Sequence, residues 1–423
     1  MGSALASGRR ARLATILLAA WSGRAQELEC PSVATAEKLV RCALSRSEVV
    51  VRAEREVDAS RARSMIAGRV LPANPTLELS GGRRTAETGG SDYDRAIDLA
   101  QIFELGGQRG ARLAIASREE KLATTALDGL RREITVDVLS AVAAVWRTRT
   151  ALALARDQRQ VADRLVEVSV ARQRQGLAPA LDVDLAQAAW VQARRDEGIA
   201  AQDTAEAEGR LARAVGSDIR LVEGEALPSG FHVVGGLEVL EQQALTRRRE
   251  VLTARSDADL GRAREESLRR ERIPDVTISA GVRHEEFSNV LGARVSVPLP
   301  LVRRNQGEIA EQRARVAQAD AVVREAELRV RLEVRAAFAN WQRATETARQ
   351  TDPALEDRLR EDAAALRDAY ARGTMPLPTA LASLRETQAA RRTLTETKVE
   401  AVLASFQLAR AAGYAASPDL DAR

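Results

Sequence analysis

The sequence predicts a mainly α-helical chain with a small β part: long coiled helical hairpins plus two transmembrane β-hairpins, arranged as an internal two-fold repeat. Three observations predict it. Aromatic residues make up only 3% of the 423, while Ala, Arg, Glu and Leu dominate, a composition suited to helices that approach closely through small side chains. Landmarks recur at a constant offset: Gly176-Leu177-Ala178-Pro179 is matched by Gly373-Thr374-Met375-Pro376, and Gly110, Gly176 and Gly216 by Gly307, Gly373 and Gly413, each 197 positions on. Segments of about ten alternating residues stand before each helical stretch, the length and dyad pattern of strands in a membrane barrel.

The elements follow in order. Residues 1–25 read as a secretory signal peptide: Arg9, Arg10 and Arg12 precede the apolar run Leu13 to Trp21, and Gly23-Arg24-Ala25 supplies small residues for cleavage after Ala25. Residues 26–74 are expected to form N-terminal helices outside the cytoplasm. They hold the only cysteines, Cys30 and Cys42, which either pair in an oxidising compartment or stay as two thiols. Neither sits in a C-x-x-C, so thiolate metal sites and dithiol redox chemistry are not indicated.

Residues 75–104 open at Pro75 and give the first hairpin, from Thr76 to Ser80 and from Ala96 to Phe103, with Tyr93 towards its loop. Residues 105–216 form the first helical hairpin. No proline interrupts Gln108 to Gln173, and Ile134, Val138, Ala141, Val145, Thr148 and Leu152 keep a 4-3-4-3 spacing. At ~1.5 Å per residue this is a rod of about 100 Å. An equatorial segment and helix occupy 217–273.

The second hairpin, 274–300, alternates cleanly. Val276, Ile278, Ala280 and Val282 share a face opposite Thr277, Ser279, Gly281 and Arg283, and Leu291, Ala293, Val295, Val297 and Leu299 share a face on the return; Phe287 marks the loop. Residues 301–413 repeat the long helix and its partner, with Ile309, Val316, Val323 and Val330 at every seventh position, and 414–423 form a tail. Beyond residue 25 no apolar stretch is expected to reach the ~20 residues of a membrane-spanning helix, so contact with a bilayer falls to the strands. Four strands cannot close alone, because a membrane sheet leaves no edge unpaired and the smallest such barrels have about eight; several chains must share one barrel.

Several function classes drop out. The 64 basic and 60 acidic residues intermingle to a net charge of +4, with no basic block for nucleic acid. His232 and His284 are the only histidines, too few and too isolated for a catalytic set, and Gly106-Gly107-Gln108-Arg109-Gly110 lacks the Lys-Ser/Thr of a phosphate loop. His284-Glu285-Glu286 is either a solvated loop or a weak attractor of cations. No catalytic, cofactor-binding or metal-ligating residue is assigned, and no enzyme is expected.

Two strand-to-helix corners carry a family resemblance: Gln101-Ile102-Phe103-Glu104-Leu105-Gly106-Gly107-Gln108-Arg109 with Gly110-Ala111-Arg112, and Val297-Pro298-Leu299-Pro300-Leu301-Val302-Arg303-Arg304-Asn305-Gln306-Gly307. With the tip segments Arg174-Gln175-Gly176 to Leu181-Asp182-Val183 and Tyr370-Ala371-Arg372-Gly373, they resemble the TolC-type outer-membrane efflux family, in its CzcC-like heavy-metal branch. The resemblance implies a homotrimer with a twelve-stranded β-barrel in outer-membrane lipid of a Gram-negative bacterium and an α-barrel through the periplasm. It also implies a periplasmic adaptor at the tips, an inner-membrane RND-type proton-driven pump, and divalent heavy-metal cargo. Organic cargo, or a periplasmic helical adaptor instead of a channel, are the alternatives; an adaptor would embed one hairpin among lipoyl-like and barrel domains.

Candidate sites gather at the tips. Arg174, Gly176, Pro179, Arg372, Gly373 and Pro376 either only build tight helical turns or also present backbone and charge to the adaptor. Asp182 and Asp184 either only stabilise a helix N-terminus or narrow a closed gate, with Tyr370 as a hydrogen-bond partner for Asp182; the second tip carries Thr379 and Ala382 where family members often have carboxylates.

Overall fold

The computed structural model describes residues 30–85, 91–233, 235–285, 288–302, 304–352 and 354–414. The signal segment 1–25, Glu286, Phe287 and the tail from 415 lie outside the described residues. Element order is β1 (Val33–Ala34), α1 (Ala36–Arg46), α2 (Glu48–Ala67), β2 (Thr76–Thr85), β3 (Ser91–Phe103), α3 (Gln108–Arg174), α4 (Ala180–Val215) and β4 (Arg220–Leu221), followed by α5 (Leu237–Arg247), α6 (Arg249–Arg270), β5 (Val276–Glu285), β6 (Ser288–Ser296), α7 (Gln306–Gln350), α8 (Leu355–Ala371) and α9 (Leu377–Ala412).

Helix α3 runs 67 residues because nothing in it breaks a helix; it ends at the Gly176 turn, and Pro179 caps the start of α4. Its spacing places Val138 and Val145 fully inside, against Leu39 and Cys42 of α1, Ala207 and Leu211 of α4, and Phe406 and Ala409 of α9. Burying a side chain such as Phe406 or Leu211 completely stabilises by roughly 1.5–3 kcal/mol each, and the alanines let the helix axes come close enough for it. In the second copy Ile309 and Val330 are buried while Val316 and Val323 are half-buried.

One expectation is corrected here. Helix α3 does contain an 18-residue stretch long and apolar enough, by composition, to cross a membrane. Its core residues Val136, Leu139, Val142 and Ala143 are packed against other helices, so that apolarity serves helix–helix burial.

A second correction concerns the long helix of the second copy, which divides into α7 and α8 around Thr351-Asp352-Pro353-Ala354. Proline has no N–H to donate and disfavours helical geometry in the residue before it, so the helix stops at Gln350. Helix α8 is then fastened to α9 by Lys398 Nζ, 2.7 Å from Glu356. The hydrogen bond from Lys398 holds the Glu356 carboxyl below the usual glutamate range. That clasp is fully present above the ordinary glutamate pKa of about 4.3 and is lost as pH falls through the lowered folded value.

The N-terminus is stapled at the base of this core. Cys30 and Cys42 form a disulfide with Cα atoms 5.9 Å apart, and β1 pairs in parallel with β4, Val33 opposite Arg220 and Ala34 opposite Leu221. Closing a loop of this length removes unfolded-state freedom worth about 3 kcal/mol in the chain-entropy account.

The larger sheet is antiparallel throughout, in the order β2-β3-β5-β6. The two hairpins, separated by α3 to α6 in the chain, lie side by side through β3 and β5, with Ile97 opposite Val282 and Phe103 opposite Val276. Both strands of the first hairpin run further towards the loop than the alternation suggested. Strand β6 ends at Ser296, short of Val297 and Leu299, because Pro298 lacks the ladder donor.

Candidate docking tips and membrane face

Both helical tips are closed by the same hydrogen-bonded turn. At the first, Leu177 N donates to Arg172 O (2.9 Å) and Gly176 N to Gln173 O (2.9 Å); at the second, Thr374 N donates to Ala369 O (3.1 Å) and Gly373 N to Tyr370 O (2.9 Å). This six-to-one, five-to-two pattern requires a left-handed residue, and Gly176 (φ 74°) and Gly373 (φ 77°) supply it. Pro179 and Pro376 then cap α4 and α9 in extended geometry. Arg174, Gly176, Pro179, Arg372, Gly373 and Pro376 are all exposed.

Beneath this exposed rim the tips are joined by Tyr370 with two residues the sequence did not single out, Ser169 and Arg172. Tyr370 is 1% exposed, packed with Leu165, Ala186 and Leu377, and its hydroxyl lies 2.8 Å from Ser169 Oγ. Arg172 donates from Nη1 to Tyr370 O (3.0 Å) and lies over the Tyr370 ring at 5.3 Å, tying α3 to α8. Within the chain the Tyr370 hydroxyl meets Ser169, and no hydrogen bond joins it to Asp182 among the described residues. Asp182 is half-buried in the first turn of α4, Asp184 is exposed, and neither carboxylate has an ion pair among the described residues. Arg174 and Arg372 drew attention by standing next to the tip glycines. The detectable signal for the real tie was the Ser169-to-Arg172 spacing of three, which sets both on one helix face towards the neighbouring tip.

Replacing Tyr370 by phenylalanine leaves the buried Ser169 hydroxyl without its partner, at an expected cost of about 1–3 kcal/mol. Faster amide exchange in the last turn of α8 is the expected readout; exchange equal to that of the unaltered chain would show the contact to be idle.

The sheet separates its chemistry by face. Directly opposed residues in an antiparallel ladder share a side, so Leu77, Leu79, Ile97, Leu99, Ile278, Val282, Leu291 and Val295 form one mainly apolar face, which also carries Gln101 opposite Ile278 and, towards the loops, Arg95 opposite His284. Glu78, Ser80, Asp94, Asp98, Ser279, Arg283 and Arg294 fall on the other. Ten residues at about 3.3 Å each, tilted by roughly 45°, span a hydrocarbon layer of about 25 Å. Among the described residues the outer edges of β2 and β6 have no strand beside them. His284 Nδ1 lies 2.8 Å from Asn289 Oδ1 across the hairpin, and His232 is exposed far from it in the chain. The described residues contain no cluster of three or more His, Cys, Asp or Glu able to hold a metal ion.

This arrangement of helices and sheet is that of a solved transmembrane channel protein, CusC, which superposes with a TM-score of 0.74 at 16% identity, over 90% of this chain and 92% of that one. Residues 39–217 match the family model described as outer membrane efflux protein. Over that stretch the chain is similar to the outer membrane efflux protein family. Among curated relatives, the cobalt-zinc-cadmium resistance protein CzcC of Cupriavidus metallidurans is 27% identical over 61% of the chain and 60% of its own length. The nickel-cobalt-cadmium resistance protein NccC of Alcaligenes xylosoxydans xylosoxydans is 30% identical over 62% of the chain and 59% of its own length. The matched stretch thus spans about three fifths of each relative.

Proposed function

We propose that three copies of this chain form the outer-membrane exit duct of a tripartite efflux system for divalent heavy-metal cations. Strand β6 of each copy pairs with β2 of the next, closing twelve strands so that the apolar face meets lipid and the polar face lines the lumen. The long helices continue the lumen through the periplasm, and the exposed tips at Gly176 and Gly373 dock a periplasmic adaptor served by an inner-membrane proton-driven pump. The duct is passive: it offers a polar path and performs no chemistry.

The observation that carries this reading is the two-faced sheet with both edges open, since each open edge in hydrocarbon leaves backbone groups unsatisfied until another chain covers it. Metal cargo rests on the resistance proteins CzcC and NccC as relatives. A strain lacking the gene is expected to become sensitive to cobalt, zinc, cadmium or nickel ions tested one at a time, with resistance restored by the intact gene. Unchanged metal resistance together with new sensitivity to organic toxicants would replace the cargo assignment.

A further inference from the structure

Each of the four places where the four-stranded sheet meets a helix carries an exposed arginine: Arg69 between α2 and β2, Arg109 just after β3, Arg272 between α6 and β5, and Arg304 between β6 and α7. Arginines elsewhere are mostly tied to carboxylates, as Arg329 is to Glu325 and Arg315 to Glu311. None of the four junction arginines has a carboxylate partner among the described residues; Arg109 and Arg304 instead donate to the backbone oxygens of Gly68 (3.1 Å) and Pro300 (3.0 Å).

The junctions are also stitched into one level. Arg109 reaches from the second junction to the first, Gln108 Nε2 donates to Ile273 O of the third (3.0 Å), and Asn305 Nδ2 to Leu268 O at the end of α6 (3.3 Å). The strand ends agree with this, since Thr76 stands opposite Ala100 and Thr277 opposite Ser296. Beside the arginines stand exposed apolar residues: Val70 (74%), Leu105 (65%), Ile273 (48%) and Val302 (91%). These exposed apolar residues lie just beyond the ends of the paired strands.

We propose that the four junction arginines bind the phosphates of anionic phospholipids in the periplasmic leaflet while the neighbouring apolar side chains enter the acyl boundary. The proposal rests on the membrane-spanning reading of the sheet given above. A guanidinium presents a rigid fork to phosphate oxygens, which suits arginine to this task better than lysine. Basic residues at an anionic leaflet each strengthen attachment on the order of fivefold. An acidic protein partner is the less fitting occupant, because each of the four arginines is paired with apolar surface at membrane depth.

The test uses the full mature protein in bilayers of phosphatidylethanolamine with a minority of phosphatidylglycerol, released gently and weighed by native mass spectrometry. Phosphatidylglycerol is expected to be retained above its share of the bilayer. Retention is expected to fall at least tenfold in the combined variant Arg69→Gln, Arg109→Gln, Arg272→Gln, Arg304→Gln, and to be unaffected by Arg315→Gln with Arg329→Gln. If the fourfold variant does not insert, the pair Arg69→Gln with Arg272→Gln, whose side chains make no backbone bond in the described structure, carries the same expectation with a smaller loss. Retention at the bilayer's own proportion, or equal retention in the variants, overturns the proposal. Failure of the unaltered protein to enter any bilayer is a different result, and removes the membrane reading itself.

Discussion

Leu79→Arg is expected to remove the protein's heat-sensitive oligomers from the outer-membrane fraction, whereas Ser80→Arg, its neighbour in the chain, leaves them near the normal level. The two residues are consecutive in β2 but on opposite faces, Leu79 opposite Ile97 and Ser80 opposite Ala96. An arginine on the lipid side near mid-depth costs about 2–4 kcal/mol, and a lumenal one costs little. In a trimer the lipid-side cost is incurred three times over, about 6–12 kcal/mol, which is comparable with the whole margin of about 5–15 kcal/mol that holds a typical folded protein together. Equal loss from both variants would mean that the sheet is buried on both sides. Equal tolerance would mean that neither side faces lipid.

Gly373→Val is expected to abolish metal efflux while oligomers are made and inserted in ordinary amounts. Its left-handed backbone disfavours a β-branched residue by roughly 1–2 kcal/mol, a small cost against helices buried as extensively as α3 and α9. The added carbon would also stand 2.8 Å from Arg172 Nη1, pushing that side chain off Tyr370 O, while a Cβ at Gly176 meets open space. Gly176→Val is therefore expected to disturb only the turn, and to retain more efflux than Gly373→Val. Arg372→Ala, which removes exposed charge and leaves the turn intact, is expected to weaken efflux with no change in oligomer abundance. Normal resistance in cells whose Gly373→Val oligomers are at normal levels would reduce both tips to turn elements.

Much of this was legible because it is written in short-range patterns. Gly176 and Gly373 mark the turns, the alternation from Val276 to Val282 marks the apolar face of the sheet, and the absence of proline before Pro179 marks the length of α3. Pro353 was equally visible, yet the likeness between the two copies suggested an unbroken second helix, and the local rule for proline prevailed. The tie between Ser169, Arg172 and Tyr370 joins residues about 200 positions apart, which no local pattern encodes. The side-by-side placement of β3 and β5 was hidden for the same reason. The junction arginines were hidden differently: in a chain whose 64 basic residues are nearly all arginine, nothing local marks the four that end up where the larger sheet meets the helices.

If separate chains complete one barrel, images of single purified particles will reveal it. The account predicts particles of three-fold symmetry with one closed ring of twelve strands, β6 of each chain hydrogen-bonded to β2 of the next, and a helical tube about 100 Å long on one side. Particles holding a single chain with β2 and β6 still open, or a closed ring built from any other number of chains, would contradict it.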